Sequence, residues 1–252
     1  MVTSASMQQR ESYRERLYIQ YVATHFGVDA LDTSARVESR APYFKKLLKY
    51  FPKSKSARIL DLGCGCGSLL YWLKREGYNS LEGIDRSPEQ VAGAHSLGLN
   101  FVKAGDVFDH LAQREPESAD VVVAFDVIEH LGKAEAFQFA DEVFRVLTPG
   151  GLFILHLPNG EGLFFGSVAF NDLTHELIMT SGSLGQLLRC VGFFDVRTYE
   201  DTPTVHGPMS AARYLIWIAA KSILRVIYAA QTGNISRNLI FSQNFLATAR
   251  KR

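Results

Sequence analysis

The run Asp61-Leu62-Gly63-Cys64-Gly65-Cys66-Gly67 lies between a β-rich stretch and an amphipathic one, the setting of a loop that wraps a nucleotide. Glycines at 63, 65 and 67 permit a tight turn and let the backbone approach a ligand with no side chain between. The spacing is Gly-x-Gly-x-Gly. A dinucleotide loop of the form Gly-x-Gly-x-x-Gly requires a glycine at position 68, where this chain has Ser68. The carboxylates decide more than the glycines. Asp61, Asp85, Asp106 and Asp126 each close a predicted strand, so a parallel sheet would gather all four along one edge. Such a rim repels a diphosphate and suits a ligand with a cationic centre, a ribose diol and an exocyclic adenine amine. Each aspartate taken singly could equally be a turn residue or a helix N-cap.

S-adenosylmethionine (AdoMet) has all three of those features. A second constellation follows the strand that ends at Asp126: in Asp126-Val127-Ile128-Glu129-His130, one turn of helix would put positions 126, 129 and 130 on one face. Two carboxylates and an imidazole suit a divalent cation such as Mg2+ or Mn2+. A bound cation would lower the pKa of an acceptor hydroxyl and orient it; without one, His130 or His175 could serve as general base. The bland alternative is that His130 contacts the cofactor or caps a loop.

These residues need a scaffold, and the periodicities supply one. From residue 57 onward short β-rich runs (ARIL, SLEGID, FVKAGD, DVVVAFD, GLFILHLP, then DVRTYE and NFLATARK) alternate with helical segments at 69–76, 89–96 and 134–146, which signals parallel βαβ construction. The last of these helices should stop at Thr148-Pro149-Gly150-Gly151. Segments 13–26 and 43–51 read as helices, giving an N-terminal helical cap over 1–56 ahead of a cofactor-binding domain over 57–252. Polar inserts at 159–183 and 202–235 fall near the carboxyl edge of the sheet, where ligands bind in this architecture.

The motifs resemble those of class I AdoMet-dependent methyltransferases over about residues 57–200 and the final strand: ILDLGCGCGSLL, GIDRSPEQV, AGDVFDHL and DVVVAFDVIEHL followed by LTPGGLFILHLPN. The resemblance implies a doubly wound, mostly parallel sheet of seven strands with the last antiparallel. It implies that Gly63, Gly65 and Gly67 line the methionine and ribose part of AdoMet. Asp85, with Arg86 beside it, would hold the ribose hydroxyls; Asp106 and Val107 would border the adenine; Asp61 would organise the loop, and Asp126 would complete the set. The 126–130 run also resembles the Glu-x-x-Glu-His run of ubiquinone-pathway and small-RNA O-methyltransferases, departing from it at Asp126, whose carboxylate has the shorter reach. The small-RNA group has a distal histidine where this chain has His175, in the insert NDLTHELIMT, and that match implies His175 as a fourth metal ligand.

Three further expectations concern the acceptor. Asn159, Asp172 and His206 are candidate substrate contacts, the last on the loop Pro203-Thr204-Val205-His206-Gly207-Pro208, where packing explains a histidine poorly. The inserts resemble those of bacterial methyltransferases of sugar and polysaccharide biosynthesis, which points to a sugar or glycan hydroxyl. A small phenol, catechol or quinone precursor is the alternative, with Phe164, Phe165 and Phe170 as either substrate contacts or core. A non-catalytic AdoMet-binding scaffold is the alternative of another class; it would have no need for His175 to converge on the 126–130 turn, and a separation beyond about 10 Å would defeat a joint site. His156, inside an apolar strand, reads as a hydrogen-bonded core histidine, and Cys64 and Cys66 as small loop fillers.

Composition narrows the partners. A formal net charge of +1 over 252 residues argues against a nucleic-acid substrate. Three cysteines, two of them inside the glycine loop, form neither a disulfide framework nor a zinc site. The opening MVTSASMQQRESYRERL has no apolar core of a secretory signal, so a cytoplasmic location is the expectation. Residues 213–230 form an apolar helix in which Arg213, Lys221 and Arg225 share one sector. That helix is expected to pack on its own domain or in a homodimer, with peripheral membrane contact as the alternative.

Overall fold

The computed structural model describes Arg14, Leu17, Tyr18 and residues 34–236 and 239–252. Seven strands form one sheet in the order β3-β2-β1-β4-β5-β7-β6. They are β1 Arg58–Leu62, β2 Ser80–Asp85, β3 Val102–Ala104, β4 Ala119–Phe125, β5 Leu147–Pro158, β6 Phe194–Glu200 and β7 Asn244–Arg250. Only β7 runs antiparallel to its neighbours, β5 and β6. The helices are α1 Ser34–Ser39, α2 Ala41–Leu47, α3 Ser68–Arg75, α4 Pro88–Ser96, α5 Val107–Ala112, α6 Lys133–Val146, α7 Phe165–Ala169, α8 Ser181–Val191 and α9 Pro208–Thr232. The expected helix over 13–26 lies mostly outside the described residues; Arg14, Leu17 and Tyr18, which are described, are helical.

Alternation along the central strands explains the two layers. Val121 and Val123 of β4, with Leu152 and Ile154 of β5, pack against Val37, Phe44, Leu69 and Trp72 of α1, α2 and α3. Val122 and Ala124, with Phe153 and Leu155, turn the other way onto Phe139 and Val143 of α6 and Leu188 of α8. Both faces are covered, so these strands read as nearly unbroken apolar runs. The helices begin where local chemistry permits: the Ser87 hydroxyl accepts the Gln90 N–H at the start of α4, and Thr180 and Ser183 cap α8 reciprocally.

Three expectations are corrected here. The Thr148-Pro149-Gly150-Gly151 run is not a break after α6 but part of β5, which starts at Leu147. Register shifts between Ala119 and Val121 opposite it, and Gly150 takes φ 77°, so the run is absorbed as a bulge. Asp61 does not close β1; it lies inside the strand and is buried. The helix expected to pack its apolar face on the domain or in a homodimer is α9, opening on Pro208 and closed by left-handed Gly233; that face does not pack on the domain, since Ser210 is the one buried residue of α9, and Leu215, Ile216, Ile223, Val226 and Ile227 are exposed.

Candidate active site

Two cavities meet over the carboxyl ends of β1, β2 and β4. One, of about 300 Å³, is lined by Asp85, Arg86, Asp106, Val107, Phe108 and Val127, and by Arg14, Tyr18 and His130. The other, of about 570 Å³, is lined by Arg36, Arg40, Tyr43, Asp61, His156, Asp201 and Asn244. Gly63, Gly65, Gln90, Phe125 and Asp126 belong to both, so the glycine loop runs along their junction.

The loop needs its glycines for two different reasons. Gly63, Gly65 and Gly67 all adopt positive φ, at 70°, 56° and 73°. A Cβ on Gly63 would also stand 2.5 Å from Val127 Cγ2, and one on Gly67 2.5 Å from Leu99 Cδ1. At Gly65 the nearest such contact is a relaxed 3.7 Å, so there the conformation alone demands glycine. Asp85 fixes the loop: its Oδ2 accepts the Gly65 N–H at 2.7 Å and its Oδ1 the Ser87 N–H at 2.8 Å. A carboxylate has about four acceptor positions, so capacity remains for a diol. Asp106 accepts the Phe108 N–H at 2.8 Å and caps α5; it combines the bland reading with a place on the cavity wall. Arg86 stacks its guanidinium over Tyr18, 4.8 Å from the ring centroid, on the same wall. Apolar Val107, Phe108, Val127 and Leu131 between acidic Asp85 and Asp106 fit an adenosine moiety. Burial, with Asp85 adding to it, pushes the Asp61 carboxyl up to about 8, an arrangement that a cationic ligand end beside the loop would relieve. Burial likewise pushes the Cys64 thiol up, consistent with a filler rather than a nucleophile.

The second constellation assembles around Glu129, His130 and His175, whose ligand-type atoms lie within 4.8 Å of one another. Glu129 and His130 come from a single 3-10 turn, Ile128–His130, placed by the end of β4. His175 arrives because the Glu129 carbonyl accepts the N–H groups of Glu176 and Leu177, at 2.8 and 3.0 Å, tying the insert to the turn. The two imidazole centroids are then 4.8 Å apart. Hydrogen bonding sets both tautomers. The Thr174 hydroxyl donates to Asp172 and so accepts from His130 Nδ1 at 2.8 Å, while His175 Nδ1 donates to the Ala169 carbonyl at 3.0 Å. Both Nε2 atoms are thereby the acceptor ends of their rings. Burial holds the Glu129 carboxyl well above the usual carboxylate range, with Asp126 adding to it. Burial and His175 pull His130 down to about 4. Glu129 Oε2 is buried with no hydrogen-bond partner. A carboxyl that burial holds neutral is what a bound dication would reverse, and the Glu129, His130 and His175 side chains lie close enough to hold a divalent cation together.

Asp126, expected among the metal ligands, faces elsewhere: its Oδ1 is 2.8 Å from His156 Nδ1. The structure gives His156 more than a packing role, since it is buried between Asp126 and Asp201. Burial would depress it, but those two carboxylates outweigh burial and raise it to about 10. Asn159, expected at the substrate, is completely buried; its amide donates to the Ile240 and Ser242 carbonyls. Asp172 is buried behind His130 through Thr174. His206 is exposed, bonded to the Thr204 carbonyl, and lines neither cavity. Phe164, Phe165 and Phe170 are exposed, which removes their core reading. Arg14, Arg36, Arg40 and Asp201 are wall residues that periodicity alone did not single out; Arg14 is held by Glu135 and Glu176.

Comparison with known proteins agrees with this fold. Residues 36–198 match the methyltransferase domain family. The chain is 35% identical over 109 residues to ajmaline N-methyltransferase of Rauvolfia serpentina, covering 41% of this chain and 37% of that protein. It is 30% identical over 109 residues to the ubiquinone biosynthesis O-methyltransferase of Klebsiella pneumoniae, covering 42% and 44%. It thus spans less than half the length of these relatives. A SAM-dependent methyltransferase structure from Archaeoglobus fulgidus superposes with a TM-score of 0.66 at 20% identity, over 93% of this chain and 99% of that one. With its sheet order, its glycine loop and this match, the chain belongs to the methyltransferase domain family and has the class I AdoMet-dependent fold.

Proposed function

We propose that the protein transfers the methyl group of AdoMet to a hydroxyl oxygen of a sugar or glycan-type acceptor, with a divalent cation held by Glu129, His130 and His175. The observation that carries this reading is the convergence of those three side chains beside the cofactor cavity, whose wall includes His130. AdoMet supplies an electrophilic methyl on a sulfonium. Asp85 and the 63–67 loop bind and orient the adenosine end. The larger cavity, with Arg36, Arg40, Asp126, Asp201 and Asn244 on its wall, offers charged and amide partners for a polyhydroxylated molecule. A cation on the Glu129 cluster would supply Lewis acidity, lowering the pKa of the acceptor hydroxyl. With the Nε2 lone pairs of His130 and His175 committed to the cation, the released proton would pass to solvent water; in a cation-free site His175 Nε2 would accept it instead.

A second reading, methylation of a phenol, catechol or quinone precursor, is supported by the similarity to the ubiquinone O-methyltransferase and by the exposed Phe164, Phe165 and Phe170 on the insert. A screen of nucleotide sugars, lipid-linked glycans and catechols with labelled AdoMet separates the two, run with EDTA and with Mg2+ or Mn2+ restored. Glu129→Gln and His175→Ala should keep AdoMet binding and lose turnover by about 100-fold or more. Full turnover in chelator would remove the cation; methylation confined to nitrogen would remove the hydroxyl. Binding of AdoMet with no turnover on any acceptor class would favour the scaffold alternative.

A further inference from the structure

Arg14 and Tyr18 are both helical, and a spacing of four residues puts their side chains on one face. Both line the cofactor cavity. Tyr18 crosses that cavity from one strand end to another. The Arg86 guanidinium, just past β2, lies 4.8 Å from its ring centroid, and the His130 ring, on the turn after β4, lies 6.5 Å away. In the sheet β2 and β4 flank β1, so the ring bridges the strand ends on either side of the one that leads into the glycine loop. Burial pushes its phenol up to about 12, so the ring is uncharged near neutral pH.

Arg14 fastens this arrangement. Its Nη1 and Nη2 donate to the two carboxylate oxygens of Glu135 at 2.7 and 2.8 Å, and its Nε donates to Glu176 at 2.7 Å. A two-pronged guanidinium–carboxylate pair fixes direction as well as distance. Glu135 is itself anchored, since its Oε2 accepts the Gly132 N–H at the start of α6. Glu176 is anchored through its own N–H, which donates to the Glu129 carbonyl. Only 21% of the Arg14 side chain is exposed, so these pairs are screened less than surface ones.

From this geometry we propose that Tyr18 is the outer wall of the adenosine site and that Arg14 is the positioning residue that keeps it there, so that the pair sets how long the cofactor stays. At about 300 Å³ the cavity is at the small end of pockets that enclose most of a ligand's surface. A ligand enclosed between Asp85, Val107 and Tyr18 leaves fastest when the ring swings away, and the ion pairs of Arg14 oppose that swing. The strength of such a wall is read mainly in the dissociation rate. The inference rests on AdoMet as the cofactor and on neither the acceptor nor the cation.

Surface plasmon resonance over the immobilised full chain tests it, with AdoMet and S-adenosylhomocysteine as analytes. Tyr18→Ala should speed the dissociation of both by about tenfold, while Tyr18→Phe, which keeps the ring, should stay within about threefold of the native rate. Arg14→Ala should raise the association and dissociation rates together, each by about three- to tenfold, so that Kd moves less than either rate. A merely structural loss would not speed association. Cooperative thermal unfolding certifies the fold of each variant; should an alanine variant fail to fold, Tyr18→Leu or Arg14→Lys replaces it under the same criteria, since a single ammonium cannot reproduce the fork. The inference is overturned if the folded Tyr18 variant releases both ligands at the native rate, if Tyr18→Phe releases them as fast as that variant, or if the folded Arg14 variant fails to raise both rates. A native chain that binds neither ligand would instead remove AdoMet as the cofactor, and the inference with it.

Discussion

Asp126 and His156 hold each other twice: the Asp126 N–H donates to the His156 carbonyl at 2.8 Å, and His156 Nδ1 donates to the Asp126 carboxylate at 2.8 Å. The first bond extends the β4/β5 pairing one residue past Phe125, which is in register with His156. The second fixes the carboxylate at the point where the two cavities meet. Asp126 takes φ 55° to do this, a left-handed conformation that aspartate and asparagine tolerate better than most residues.

This pairing has a pH signature. His156 is raised from its ordinary value to about 10 in the folded chain, where Asp126 and Asp201 overcome the opposing effect of burial. A histidine with a raised folded pKa binds a proton that the unfolded chain releases near pH 6.5. Its stabilisation is therefore complete below about pH 6.5 and is lost as pH climbs towards 10. Urea midpoints measured across that window should fall with rising pH, and Asp126→Asn, which keeps the backbone conformation accessible, should flatten the slope. An equal slope in native and variant chains would exclude the pair as its source.

Asp85 binds two backbone N–H groups of its own loop and lines the cavity. Asp85→Ala removes those bonds together with the acceptor for a ribose diol. Hydrogen bonds to a charged group are worth roughly 1.5–3 kcal/mol, so AdoMet affinity by calorimetry should drop by about 10- to 100-fold or more. Unchanged affinity would mean that the cofactor lies elsewhere.

Gly67→Ala should destabilise without touching the cavity wall. Gly67 is the left-handed residue that opens α3, and its new Cβ would press on Leu99. The conformational cost alone is on the order of 1–2 kcal/mol. For a chain of this size that lowers Tm by roughly 2–8 °C, with the Leu99 clash adding to it, and differential scanning calorimetry reads it directly.

Asn159→Ala distinguishes a structural tie from a substrate contact. The side chain joins the end of β5 to the segment before β7 through Ile240 and Ser242, and its Oδ1 accepts the Glu161 N–H at 3.0 Å. Truncation leaves buried carbonyls unsatisfied, at about 1–3 kcal/mol each. Stability by denaturant titration should fall by several kcal/mol at most, while KM for the acceptor, measured on folded protein, should not move. A raised KM at undiminished stability would restore the substrate role.

The strands and the glycine loop were legible because their signals are local. Alternation at period 2 marks strands, and a Gly-x-Gly-x-Gly run after one of them admits few backbone paths. The 126–130 turn was legible for the same reason, within five consecutive residues. Other features were set by distances along the chain that no local pattern encodes. His175 reaches His130 only because the Glu129 carbonyl captures the backbone of the insert. His156 looked like core in an apolar strand, and it is buried; its carboxylate partners come from the end of β4 and from beyond β6. Asp126 could have turned towards Glu129 or towards His156, and strand register chose the latter. Composition marked α9 as amphipathic, yet which face met the domain depended on where Glu200 of β6 stood to receive Lys221. Sequence alone thus determined the fold and the conformation of the glycine loop, since both rest on short-range backbone constraint. Tertiary structure decided the grouping of the histidines and the outward turn of α9, because each depends on pairing between residues that only the closed sheet brings together.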